Sequence, residues 1–118
     1  MRVMVLVKAS AASEDGATDP AWTRAMLAAM GRFNAALREA GVLVAAHGLR
    51  PSRHGVRVTL AEGVRGVEAG PFLPPEAQVA GFWLWQVRDL DEALAWARRC
   101  PDPMPGEGIL EIRPLDEG

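Results

Sequence analysis

The chain has no tyrosine, a single cysteine and only two histidines among its 118 residues, and each shortage removes a class of chemistry. Cys100, alone, can form neither an internal disulfide nor a cysteine metal cluster. His47 and His54 do not stand at metal-ligand spacing with it, so no metal site is expected. Charge of one sign is also lacking: the formal net charge is −2. The basic excess that marks a nucleic-acid partner is therefore missing. No apolar run approaches the roughly 18 residues of a membrane span. The stretch Val3 to Val7, held between Arg2 and Lys8, is too short for a signal-peptide core. A cytoplasmic, reduced protein without membrane contact is expected. Gly63, Gly66 and Gly70 form no phosphate-cradling run, and Ser10, Ser13 and Ser52 have no Gly-x-Ser-x-Gly context. No cofactor is expected.

What is present is an ordinary globular mix, 49% apolar and 24% charged, in a length suited to one domain over 1–118. Residues 2–8 read as a strand apolar on both faces, Val3, Val5 and Val7 against Met4 and Leu6. Residues 9–19 lack periodicity and read as a surface loop. Asp19 and Pro20 open a helix as cap and first-turn residue. Trp22, Met26, Ala29, Met30, Phe33, Leu37 and Ala40 then recur at helical steps, and Gly41 stops the run. Gly31, inside that helix, reads as a point of close packing.

Val42–Leu49 reads as a second strand, with Leu43, Ala45, His47 and Leu49 sharing a face. Arg50 to Gly55 is a turn by composition, and Val56–Leu60 with Val64–Ala69 makes a hairpin. Pro71, Pro74 and Pro75 stiffen the loop that follows. Ala80–Val87 is the strongest strand, apolar on both faces through Phe82 and Leu84 against Trp83, Trp85 and Val87. Asp89 caps a second helix, with Glu92 completing a capping box and Leu90, Ala93, Leu94 and Ala97 as the buried stripe. Glu107–Arg113 reads as the last strand. Two β-α-β units around a hairpin excursion predict an α+β, ferredoxin-like (split βαβ) antiparallel sheet with two helices on one face. Two helices cover only that face. The apolar residues on the other call for a symmetric partner, giving a homodimer in the form of a dimeric α/β barrel; the alternative is that the hairpin and the proline-rich loop fold over that face within one chain.

For chemistry, His47 in its strand is a candidate general acid or base, and Glu68, the acidic group nearest the rigid loop, is its candidate partner if their strands are neighbours. Arg50, Arg53 and Arg57 cluster about the hairpin. Arg50 and Arg57, with Phe72 of the rigid loop, are the candidate ligand-binding residues. His54 reads as solvated and Cys100 as inert.

Ala69-Gly70-Pro71-Phe72, Gly81-Phe82-Trp83-Leu84, Asp89 to Ala97 with Cys100-Pro101, and Glu111-Ile112-Arg113-Pro114 follow one another in the order of a known family. Ala40-Gly41-Val42-Leu43 and Gly48-Leu49-Arg50-Pro51 fit the same pattern. In these the chain resembles the YCII-related, DGPF-type domain. The resemblance implies the ferredoxin-like fold and a dimeric barrel. It also implies kinship with lyases or dehalogenase-like enzymes that use a His/Asp pair, and with proteins that accompany sigma factors. Two positions depart: Ala69 stands where the family usually has aspartate, and Arg50 where it commonly has histidine. A one-residue shift along a strand reverses the face, so the role of that aspartate does not carry over to Glu68 from the resemblance. The leading expectation is a dimeric domain that binds a small molecule or a protein partner in the barrel cleft, without the family acid–base pair. The alternatives are a cofactor-free lyase or hydrolase using His47 with Glu68, and an accessory regulator of a sigma factor.

Overall fold

The computed structural model describes residues 1–117. Its elements are β1 (Arg2–Lys8), α1 (Ala11–Asp15), α2 (Pro20–Glu39), β2 (Leu43–Gly48), β3 (Val56–Ala61), β4 (Val64–Ala69), β5 (Val79–Gln86), α3 (Leu90–Ala97) and β6 (Leu110–Pro114). Four strands form an antiparallel sheet in the order β2-β5-β1-β6, and β3 with β4 form a separate two-stranded ribbon. This is the α+β, ferredoxin-like arrangement that the alternation of strands and helices predicts.

The core forms where the sheet's apolar face meets the two longer helices. Val3, Val5, Trp83 and Trp85 from the central strands, with Val87 just beyond β5, pack with Phe33 and Leu37 of α2 and Ala93 of α3. The ring of Phe33 stands edge-on to Trp83, Trp85 and Trp96, at centroid distances of 5.8, 6.3 and 6.4 Å. Such edge contacts place a positive ring rim against a negative ring face. Three aromatic neighbours therefore hold α2 and α3 to the same sheet.

Several local readings change. Residues 9–19 are not wholly loop, because Ser10 caps α1: its hydroxyl accepts from Ser13 N–H, and Ser13 Oγ accepts from Ser10 N–H. Serine at the third helical position replaces the usual glutamate of that box, which hid the helix. Asp89 caps α3 as expected, but the Glu92 carboxylate reaches past it to the backbone of Arg88 at 2.7 Å. The buried stripe of α3 is Ala93, Trp96 and Ala97; Leu90 and Leu94 are exposed. Trp96 turns the helix by docking on Phe33.

In β2 the register slips between Leu43 and Ala45, so Leu43 pairs with Trp85 while Ala45 pairs with Leu84. A bulge moves one residue out of alternation. Leu43 and Ala46 thus share the helix side, whereas Ala45 and His47 stand on the opposite face with Leu84 and Phe82. The last strand begins at Leu110, not Glu107. Gly31 has open space where a Cβ would stand, so its packing role is not present.

The Cα envelope is 46 × 44 × 19 Å. Its short dimension matches one helix layer on one sheet, spaced about 10 Å apart. Among the described residues no third layer covers Met4, Leu6, Phe82 and Leu84 on the far side. The radius of gyration, 15.9 Å, exceeds the roughly 13.5 Å of a compact chain of this length. The ribbon contributes to that excess: every residue of β3 and β4 is exposed.

Candidate functional site

The apolar stripe of α2 is buried only over its second half. Phe33 and Leu37 are in the core, but Trp22, Met26 and Met30, one to three turns earlier on the same face, are only half-buried. Beneath that first half lies a cavity of about 500 Å³. Its floor comes from the ends of three strands, through Val7, Ala46, Gly81 and Trp83. One wall is the loop after α3, where buried Met104 is pinned by a hydrogen bond from Ser10 Oγ to its Sδ at 3.3 Å. At the other side stand Glu14, Thr18 and Thr23, the two threonine hydroxyls sharing a hydrogen bond at 2.9 Å.

Apart from Glu14 and His47, the cavity is apolar with a few neutral polar groups, the common character of small-molecule sites, and its volume lies within their usual range. Asn34 is the most constrained of those groups. Its Oδ1 accepts from Trp83 Nε1–H at 2.7 Å. Indole N–H only donates, so the amide orientation is fixed and the NH₂ is left free to donate. The Trp85 indole N–H, by contrast, is buried without a partner among the described residues.

A second cluster holds the mouth. The Glu14 carboxylate accepts from Ser52 N–H at 2.8 Å and from the Ser52 hydroxyl. Ser52 Oγ in turn accepts from Phe72 N–H at 2.9 Å, and Arg53 donates to Glu14 O at 2.6 Å. One serine thus joins α1, the turn before β3 and the Gly70-Pro71-Phe72 segment. Gly70 is compelled by the same contact: a Cβ there would lie 1.9 Å from Ser52 O. The Gly-Pro-Phe segment is therefore a docking element, with Phe72 buried and the Arg57 guanidinium 3.8 Å above its ring.

The residues expected to carry chemistry are distributed differently. His47 is exposed on β2 and lines the cavity where the strand ends, with its ring 5.7 Å from that of Phe82. Glu68 is on the separate ribbon, opposite Arg57, and is not among the lining residues. Among the described residues no hydrogen bond or ion pair joins His47 to Glu68. Arg57 and Phe72 are brought together by stacking but do not line the cavity; Arg50 is exposed beside Pro51, which does. No group of three or more potential metal ligands occurs among the described residues. No helix there is long and apolar enough to cross a membrane.

Asn34, Glu14, Ser52 and Met104 were not legible as site residues. Asn34 leaves a faint trace, a polar residue one turn after Met30 along the apolar stripe. Glu14 and Ser52 leave none, because their meeting spans 38 positions.

Cys100 is half-buried after α3 and donates to Pro101 O at 3.2 Å. Burial, reinforced by the negative charge of Asp102, pushes its thiol up to about 11. It is the reverse of an activated cysteine.

Comparison with known proteins accords with the geometry and adds no assigned activity. An uncharacterized protein of Rhizobium meliloti (strain 1021) is 36% identical over 77 residues, 65% of this chain. The match spans 62% of that relative's own length. The model of the YCII-related domain matches residues 1–117. A match over almost every residue, on a sheet of the order β2-β5-β1-β6, places this chain in the YCII-related domain family.

Proposed function

We propose that the protein is a homodimeric small-molecule-binding domain, its copies joined through the open face of the sheet and its ligand held beneath α2. The observation that carries this reading is the cavity of about 500 Å³ under the first half of the α2 stripe. Hydrophobic side chains are spent on lining a space where core packing would otherwise fill it. The floor of the site lies on the helix side of the sheet, and the lining reaches the face that a second sheet would cover only at its edge, through His47 and Phe82. Recognition fits it better than proton transfer: among the described residues no carboxylate is hydrogen-bonded to the ring of His47.

The opposite face supports the pairing. Met4, Leu6, Phe82 and Leu84 form an apolar centre, bordered on β6 by Glu111 and Arg113. That is the anatomy of a self-complementary interface, apolar inside and charged at the rim.

Fragment screening by two-dimensional NMR tests the ligand site. Hits are expected to move the Trp83 indole N–H resonance and the methyl signals of Val7, Met30 and Met104. Hits that perturb only the open sheet face would refute this placement.

A further inference from the structure

The charge and hydrogen-bond inventory of the cavity define a ligand class, and this step rests on the reading of the cavity as a ligand site. We infer that it takes an uncharged, largely apolar molecule bearing one hydrogen-bond acceptor, such as a carbonyl oxygen, which meets the amide NH₂ of Asn34. Three observations converge. Among the described residues no arginine or lysine lines the space, and the imidazole that does, His47, is exposed at the end of β2 on the face opposite the helices, so no permanent cation stands inside to neutralise a carboxylate or phosphate. The carboxyl group at its edge is that of Glu14, turned to Ser52, and its charge opposes an incoming anion. An anion entering would lose its water without an ionic partner in return.

The third observation is Asn34 itself. Trp83 Nε1–H occupies its Oδ1, so its unused capacity is two donors with no partner within the described chain. The bond between Thr18 and Thr23 uses one of their two hydroxyl protons and leaves one, whereas Asn34 offers two N–H donors in an orientation that Trp83 fixes, which makes it the polar group best placed to read a ligand. Methionines at 26, 30 and 104 supply an adaptable apolar lining, suited to a flat or irregular hydrocarbon skeleton.

Three isosteric probes separate the alternatives: 2-acetylnaphthalene, 2-ethylnaphthalene and 2-naphthoate. They are titrated against the tryptophan fluorescence of the intact protein at mildly alkaline pH. The ketone is expected to bind about three- to tenfold more tightly than the hydrocarbon, the scale of one hydrogen bond. The carboxylate is expected to bind at least about tenfold more weakly than the ketone. Asn34→Asp keeps an acceptor for Trp83 Nε1–H but removes both donors, so the preference for ketone over hydrocarbon should disappear. Its thermal midpoint and near-UV circular dichroism verify that the variant is folded. Naphthoate binding as tightly as the ketone, or an unchanged ketone preference in Asn34→Asp, overturns the ligand class while leaving the cavity a binding site. Failure of all three probes to bind overturns the ligand-site reading together with it.

Discussion

Gly70 and Gly31 look alike in the sequence and are opposites in the fold. A methyl at position 70 would meet Ser52 O at 1.9 Å, and both atoms belong to backbone that is already hydrogen-bonded. Gly70→Ala should cost at least about 3 kcal/mol, beyond ordinary overpacking, because no side chain can swing aside. Gly31 has nothing within 4 Å, so Gly31→Ala should stabilise the protein by about 0.5–1 kcal/mol through helix propensity alone. Urea denaturation of the two variants measures both signs. Ser52→Ala lies between them: it leaves the Glu14 carboxylate and Phe72 N–H without their hydroxyl partner, for an expected loss of about 1–3 kcal/mol.

Cys100 gives a pH-dependent counterpart at the same scale. Burial, with Asp102 beside it, raises its thiol from an ordinary 9.0 to about 11. The folded state therefore keeps the proton that the unfolded chain gives up. Stability from this group is complete below about pH 9 and is lost as pH rises toward 11. Alkylation by iodoacetamide should stay slow through pH 9 and accelerate only near 11. Asp102→Asn should bring that rise to lower pH, and a rapid reaction of the native protein at pH 8 would contradict the assignment.

At the scale of elements, legibility followed locality. The helix at Pro20–Glu39 was readable because Asp19, Pro20 and seven apolar residues lie in one continuous stretch, and the Asp19 carboxylate does accept from Trp22 N–H at 3.1 Å. β1 and β5 were readable from their two-sided apolar patterns. What failed depended on partners distant in sequence. The bulge in β2 is imposed by the register with β5, so His47 and Leu43 lie on opposite faces although they occupy alternate-set positions in the sequence. The rotation of α3 depends on Trp96 finding Phe33, 63 positions earlier in the chain by their numbers. The cavity was least legible of all, since the stripe Trp22, Met26 and Met30 reads as core whether the space beneath it is filled or hollow.

At the scale of the whole molecule, the sheet's open face and the β3–β4 ribbon pose the same problem. The ribbon pairs Val58 with Val67 and Val56 with Ala69 on one side, and each of those three valines is more than half exposed. A two-stranded hairpin alone in water is marginally stable. In the proposed dimer a second copy docked on the sheet would provide a surface for it, so ribbon order and dimerisation should be lost together. Leu84 is the point at which to break them: it lies on the open face opposite Met4, away from the cavity lining. Leu84→Glu would place two symmetry-related carboxylates in an apolar interface, a cost of several kcal/mol and at least about a thousandfold in dimer dissociation. Light scattering should then report a dimer for the wild-type protein and a monomer of 12.7 kDa for the variant. Hydrogen exchange adds the second reading: amides over 56–69 should be protected in the dimer and exchange rapidly in Leu84→Glu, while Trp85 and Leu37 at the core remain protected in both. A variant that stays dimeric would place the interface elsewhere, and a monomeric variant with an equally protected ribbon would show that the hairpin is held by its own chain.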